Sequence, residues 1–205
     1  MLKIGALVSG GGTNLQAVID QIEKGGIHAE IAVVVSSNPN AYALERAKKH
    51  GIPAVCVRKK DHSDYEAELV RLFKENGVGL VILAGFMVVL GTGFIEAFRG
   101  KIMNIHPSLI PSFCGAGCYG LKVHEMALKK GVKVTGATVH FVNEETDGGP
   151  IILQKPVFVE DGDTPERLQQ RVMKEAEWVI YPRAIQLFAE GKLTIENAHV
   201  KGAAL

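Results

Sequence analysis

Through its first hundred residues the chain alternates short apolar runs with segments of helical periodicity, and that alternation most narrows the folds open to it. Runs at 3–9, 29–36, 54–57, 80–84 and 101–105 have strand length and are dominated by aliphatic residues. Between the first four lie helical patterns. Leu15, Val18, Ile19 and Ile22 share one face of a helix over about 15–24, a second helix covers 41–50, and a third runs to about residue 76. That third helix opens at Ser63-Asp64-Tyr65-Glu66, which reads as a capping box. Strands separated by helices predict an α/β fold of three layers around a mostly parallel, doubly wound, Rossmann-like sheet with right-handed crossovers. In such sheets ligands bind at the carboxyl ends of the strands.

The second half changes character. After a short helix over 123–130, two longer strands at 132–142 and 151–159 are separated only by the turn at 143–150, which predicts a late antiparallel addition to the sheet. Thr164-Pro165-Glu166 caps a long helix to about residue 181, and Pro182 marks a break before a helical stretch at 183–190. A last strand at 193–196 precedes an unstructured tail.

Composition enters here because it limits the chemistry. With 205 residues, 47% of them hydrophobic, the chain can bury one full core. The net charge of +1 and the short basic run Arg58-Lys59-Lys60 argue for no nucleic-acid partner. The longest apolar run, 78–90, falls short of the roughly 20 residues needed to span a bilayer, and no signal peptide is expected at the N-terminus. Cys56, Cys114 and Cys118 are odd in number, and the last two lack metal-site spacing; they read as reduced thiols in a cytoplasmic protein without a metal.

Three stretches carry chemistry. Gly10-Gly11-Gly12 follows the first strand and opens a helix, so its free amides favour an anion. A dinucleotide fingerprint would need a glycine at Leu15 and an acid near Ser36, and a Walker A loop would need a lysine; what remains is a phosphate site for a smaller molecule, with Thr13 and Asn14 as donors, or else a tight turn. Asn104 and His106 stand two residues apart at the end of the fifth strand, on one face, and Pro107 biases His106 toward extended backbone. An amide donor beside an imidazole suits acyl transfer, the one steadying an oxyanion and the other moving a proton. The third stretch is Thr146-Asp147-Gly148-Gly149-Pro150. If Asp147 meets His106 it would orient the imidazole and favour its charged form.

Taken together, Ser9-Gly10-Gly11-Gly12-Thr13-Asn14-Leu15-Gln16-Ala17, Leu83-Ala84-Gly85-Phe86-Met87, Asn104-Ile105-His106-Pro107-Ser108-Leu109 and Asp147-Gly148-Gly149-Pro150-Ile151-Ile152 resemble the folate-dependent formyltransferases, and among them the phosphoribosylglycinamide formyltransferases of purine synthesis. The likeness covers about 3–193. It implies formyl transfer from 10-formyltetrahydrofolate, a co-substrate, to the amine of the ribonucleotide, with Asn104, His106 and Asp147 catalytic. It implies one domain, with a ribonucleotide-binding half over 1–100 and a catalytic, folate-binding half over 101–205. Gly11, Gly12, Thr13 and Asn14 would hold the phosphate, with Met87, Pro107 and Glu177 on the same substrate. Met87, Val88, Val89, Leu90, Asn104, Asn143 and Asp147 would meet the folate.

Two departures stand out. Val88 replaces an arginine common in the family, leaving Lys59, Lys60 and His62 as substitutes, and the loop over 113–122 has Cys114 where proline is usual, with extra glycines that fit a mobile lid. His124 and His140 read as satisfied structural histidines. The partners expected are small molecules, with no membrane, and the protein is a monomer or a homodimer. Formyltetrahydrofolate deformylase, which resembles this chain plus an N-terminal regulatory domain, is the alternative enzyme; methionyl-tRNA formyltransferase would add a C-terminal nucleic-acid-binding domain. A folate- or nucleotide-binding module without catalysis is the alternative outside enzymes.

Overall fold

Seven of the apolar runs pair into one sheet. The computed structural model describes residues 1–203. Its strands β1 (Leu2–Val8), β2 (Ala29–Ser36), β3 (Ala54–Cys56), β4 (Leu80–Leu83), β5 (Ile102–His106), β6 (Val134–Phe141) and β7 (Ile151–Phe158) lie in the order β3-β2-β1-β4-β5-β6-β7. The first five are parallel, while β6 pairs antiparallel with both β5 and β7. The predicted late antiparallel addition is therefore present.

Helices cover both faces: α1 (Thr13–Glu23), α2 (Tyr42–Lys49), α3 (Tyr65–Glu75), α4 (Thr92–Ala97), α5 (Leu121–Lys130), α6 (Pro165–Val172) and α7 (Trp178–Ala189). Alternate residues of each parallel strand feed opposite cores. Ile4, Ala6, Ile82 and Met103 pack with α1, α6 and α7, whereas Leu7, Val81, Leu83 and Ile102 pack with α3 and α4. Strands buried on both faces have no polar alternation, which is why they read as continuous apolar runs. The second core centres on Phe73, Phe94 and Phe98, whose rings meet at 5.2–6.0 Å; each such buried ring contributes roughly 1.5–3 kcal/mol through burial. Tyr181 of α7 ties the sheet to the first core, its hydroxyl lying 2.9 Å from the Leu83 carbonyl and 3.0 Å from that of Met103.

Three expectations need correction. Helix α3 is capped by Asp64, whose Oδ1 accepts from Ala67 N at 3.0 Å, and not by Ser63. Glu66, thereby released from any capping box, reaches the start of α4, accepting from Gly91 N at 2.5 Å and from Phe94 N at 3.3 Å. Helix α4 has no signal of its own in the sequence, since Gly91 at its N-cap offers no side chain and the acceptor comes from another helix.

The helix after Thr164 does not break at Pro182, which lies inside α7; the irregularity is a π-helical turn, Met173–Glu177, between α6 and α7. Proline removes the donor that would have served Trp178, and the wide turn ending just before Trp178 takes up the distortion. Finally, the last strand, β8 (Thr194–Glu196), is no prelude to an unstructured tail, because it pairs antiparallel with β9 (His199–Lys201) as a separate hairpin. No helix among the described residues is long and apolar enough to cross a membrane.

From β1 the chain first adds β2 and β3 on one side, then β4 and β5 on the other, so the strand order reverses between β1 and β4. The loops that follow β1, β4 and β5 leave the same edge of the parallel sheet beside this crevice. Ser9 joins two of them: its Oγ accepts from Met87 N at 2.9 Å and lies 2.7 Å from Ser37 Oγ.

Candidate active site

Strand β5 presents Asn104 and His106 on one face, and antiparallel pairing sets His140 opposite Asn104 and Thr138 opposite His106. Asn104 Nδ2 lies 3.2 Å from His140 Nε2. His106 is buried, with 4% of its surface exposed, and its Nε2 is 2.9 Å from the Phe113 carbonyl. A carbonyl only accepts, so Nε2 carries a hydrogen and donates. The other ring nitrogen, Nδ1, faces Asp147 Oδ2 at 3.7 Å.

Asp147 adopts a left-handed backbone, φ 57°, which suits the glycine-rich turn around it. Its Oδ2 accepts from Gly115 N at 2.9 Å, and its Oδ1 lies 3.7 Å from His140 Nε2. Both 3.7 Å separations are too long for direct hydrogen bonds. The predicted meeting of Asp147 and His106 therefore occurs at ion-pair range. The loop over 107–115 is laced down behind them: Thr138 Oγ1 donates to the Ser108 carbonyl at 2.7 Å and accepts from Ile110 N at 3.1 Å, and Gln154 Nε2 donates to the Ile110 carbonyl at 2.9 Å. Phe113 and Gly115, expected to belong to a lid, supply the backbone carbonyl and amide that hold the His106 and Asp147 side chains.

Across the crevice, Gly12 takes a left-handed conformation, φ 70°, at the N-cap of α1, with no side-chain cap and no acid in the first turn. The first-turn amides are left for an anion. The glycine loop is braced by Arg46, whose Nε donates to the Gly11 carbonyl at 2.8 Å. Asn14 Nδ2 donates to Glu177 Oε2 at 2.6 Å and Thr13 Oγ1 lies 3.7 Å from Met173 Sδ, so the π-helical turn is folded against this loop. Glu177 is 6% exposed, and burial pushes its carboxyl up to about 7 despite the bond from Asn14. Asn14 Oδ1 is buried without a partner.

The segment after β4 is not plain core. Met87 and Val89 are 53% and 75% exposed, whereas Leu90 is buried and Val88 packs against the second core with Phe86. Pro107 is half-buried beside His106. Asn143 spends its side chain inside its own turn, Oδ1 accepting from Glu145 N at 3.1 Å and Nδ2 donating weakly to the Gly148 carbonyl at 3.4 Å. Lys59, Lys60 and His62 are exposed and, among the described residues, make no hydrogen bond or ion pair with the site. His124 is buried with neither ring nitrogen partnered, so it is not the satisfied histidine expected; burial first, then nearby His106, brings its pKa down to about 4.

His140, Arg46 and the backbone of Phe113 and Gly115 are the contributors that sequence reasoning did not place. For His140 only half a signal existed: the turn over 143–150 pairs its strand with β7, but nothing in the sequence sets that strand against β5. For the backbone groups none did. Among the described residues no group of three or more His, Cys, Asp or Glu side chains could hold a metal ion.

Comparison with known proteins bears on this arrangement. Residues 2–185 match the family described as formyl transferase. The chain is 42% identical over 210 residues to the phosphoribosylglycinamide formyltransferase of Haemophilus influenzae, covering 100% of this chain and 96% of that protein. It is 44% identical over 200 residues to the trifunctional purine biosynthetic protein adenosine-3 of Gallus gallus, covering 96% of this chain but 19% of that larger protein. The crystal structure of glycinamide ribonucleotide transformylase 1 from Symbiobacterium toebii superimposes with a TM-score of 0.92 at 46% identity, covering 98% of this chain and 93% of that one.

Proposed function

The chain belongs to the formyl transferase family, and from that membership we propose that it moves the formyl group of 10-formyltetrahydrofolate to the amine of 5-phosphoribosylglycinamide, giving formylglycinamide ribonucleotide and tetrahydrofolate in purine synthesis. The observation that carries the reading is that two half-sites lie at the carboxyl ends of strands in one parallel run, β1-β4-β5. One is the Asn104, His106 and Asp147 group; the other is the uncapped start of α1 with Asn14 and Glu177 beside it.

The ribonucleotide phosphate lies on the amides of Gly11, Gly12, Thr13 and Asn14. Unpartnered Asn14 Oδ1 and the Glu177 carboxyl are acceptors that suit the N–H and O–H groups of the glycinamide and ribose. Met87 and Pro107 border the same substrate. The folate pterin lies against 87–90 and under the 143–147 turn, where exposed Met87 and Val89 offer apolar contact, Val88 and Leu90 hold the strand of backbone in place, and Asn143 shapes the turn.

In the transfer the amine nitrogen attacks the formyl carbon, and the developing oxyanion is met by Asn104 Nδ2. His106 acts through Nδ1, because Nε2 is engaged with Phe113. As the bond from the formyl carbon to N10 breaks, N10 gains the one proton that the attacking amine loses, relayed through a water beside Asp147 and through His106 Nδ1, so no net proton is left on the enzyme. Holding amine and formyl carbon together supplies the larger part of the acceleration, and proton transfer a further ~10²–10⁴-fold. The proposed chemistry needs no metal. The protein works in the cytoplasm on small molecules, as a monomer or a homodimer.

The test is tetrahydrofolate release from 10-formyltetrahydrofolate with and without the ribonucleotide. Release that depends on the ribonucleotide supports the transferase. Release without it identifies the deformylase, and no release leaves the binding module. His106→Ala should lower turnover by ~10²–10⁴-fold, whereas a binding module would lose nothing measurable in affinity.

A further inference from the structure

His140 lies 2% exposed in the middle of β6, directly across the ladder from Asn104. The register slips at this point: Val139 pairs with Leu153 but His140 with Ile151, leaving Ile152 as an extra residue on β7. Bulges of this kind re-aim side chains next to active sites. The imidazole Nδ1 is 2.8 Å from the Phe141 carbonyl, which can only accept, so Nδ1 bears the hydrogen. Burial disfavours the charged ring and lowers its pKa, outweighing the opposing pull of the Phe141 carbonyl and Asp147, while His106 adds to the lowering. A neutral ring protonated on Nδ1 keeps a lone pair on Nε2. Asn104 Nδ2, 3.2 Å away, must then donate to it.

That bond decides which way the Asn104 amide points. An amide can be turned over at little cost when nothing distinguishes its ends, and the wrong orientation would aim a carbonyl oxygen at a developing oxyanion. With one N–H given to His140, Nδ2 is fixed and its second N–H, which has no other partner among the described residues, is the one left for substrate. A doubly protonated His140 would undo the arrangement twice over. It would repel Asn104 Nδ2 and would draw Asp147 Oδ1, now 3.7 Å away, from the side of His106. The groups facing the ring from the packed elements are Asp147 and His106, together with the Phe141 carbonyl and Asn104.

We propose that His140 is a positioning residue for formyl transfer: as a neutral acceptor it locks the Asn104 amide with its N–H toward the formyl oxygen. The inference rests on the reading of Asn104 as the oxyanion donor, and the experiment separates the two. With both substrates saturating, His140→Leu should lower kcat roughly 10- to 100-fold, at most the ~10²–10³-fold of losing the donor outright, with both KM values within about threefold of wild type. His140→Gln, whose side-chain oxygen can accept, should recover most of that loss. In an Asn104→Ala background His140→Leu should cost less than about threefold more, because two residues acting through one group are not additive.

Equal losses from His140→Leu in both backgrounds, or a Gln variant no better than Leu, overturn the inference alone. An unchanged kcat for Asn104→Ala overturns the reading of Asn104 and the inference with it. Nitrogen-15 NMR of the wild-type protein supplies a readout free of folding effects: at a pH of about 7.5, above the ordinary histidine range, His140 must be the neutral, Nδ1-protonated form, and a ring protonated on Nε2 refutes the proposal.

Discussion

Gly12→Ala is the substitution for which the structure sets the sharpest expectation. The residue sits at φ 70° and ψ 32°, and an added methyl would stand 2.6 Å from Ala43 Cβ and 2.9 Å from Ala43 Cα. Ala43 is fully buried in α2, and its amide donates to the Gly10 carbonyl at 3.1 Å, so the obstacle is backbone that the loop itself is bonded to. The left-handed conformation costs alanine about 1–2 kcal/mol, and overpacking of this kind about 1–3 kcal/mol, which together give a destabilisation of ~2–5 kcal/mol. Gly11→Ala is the internal control, since nothing lies within 4 Å of the place its methyl would take and its φ is not positive; it should stay within about 0.5 kcal/mol of wild type.

Urea unfolding midpoints, compared at equal slope, measure the difference. Where Gly12→Ala still folds, the loop has moved off α2 and carries the first-turn amides with it. KM for the ribonucleotide should rise at least about tenfold while KM for the folate stays near wild type. A Gly12→Ala protein as stable as Gly11→Ala would refute the packing reasoning, and an unchanged ribonucleotide KM would refute the assignment of the glycine loop to the phosphate.

Gly149→Ala should be as damaging on the catalytic side, since its methyl would fall 1.8 Å from the Phe141 carbonyl oxygen; the turn bearing Asp147 must shift, and kcat should drop by ~10²-fold or more, as steady-state kinetics would read. Glu177 gives a pH signature. Its buried carboxyl is raised to about 7 from 4.5, so the folded state holds an extra proton between those values, and stability should fall by roughly 3 kcal/mol as pH climbs through that window and level off above it. Urea midpoints at about pH 5 and about pH 8, either end of that window, should show this slope in the wild type and lose it in Glu177→Gln. Glu66→Ala removes the acceptor for Gly91 N and Phe94 N and should cost ~1–2 kcal/mol of stability, as for a lost N-cap, together with a raised folate KM; Glu66→Gln should retain most of both.

Much of the scaffold was legible because parallel strands and their flanking helices obey local rules. Ala29–Ser36 is recovered to the residue, and the other main strands end within two residues of where hydrophobic patterning puts them. The pair Asn104 and His106 was legible for the same reason, a period of two along an extended chain. Where patterning failed, the deciding interaction came from elsewhere in the chain. Ser63-Asp64-Tyr65-Glu66 matches a capping box by residue type, yet Asp64 closes α3 by itself and Glu66 is drawn off to the unprotected start of α4. Pro182 signalled a distortion correctly, but where it emerges depends on the wide turn upstream, whose register is set by Glu177 and Met173 packing on the glycine loop.

The candidate group of His106 and Asp147 shows why a site is harder to read than a fold. His106 and Asp147 could be paired from their chemistry, but what holds them at 3.7 Å is the Phe113 carbonyl on one and the Gly115 amide on the other. Every residue but proline offers both groups, so side-chain identity at 113 and 115 carries no trace of the task; only the path of the loop does. That path depends in turn on Thr138 and Gln154, which stand on β6 and β7 and bind the carbonyls of Ser108 and Ile110. The antiparallel addition thus does two things for the parallel sheet: it closes the edge beyond β5, and it supplies the side chains, His140 among them, that turn a strand end into an oriented pair of donors. A chain with the same Asn-x-His-Pro segment on an open edge would keep the motif and lose the geometry.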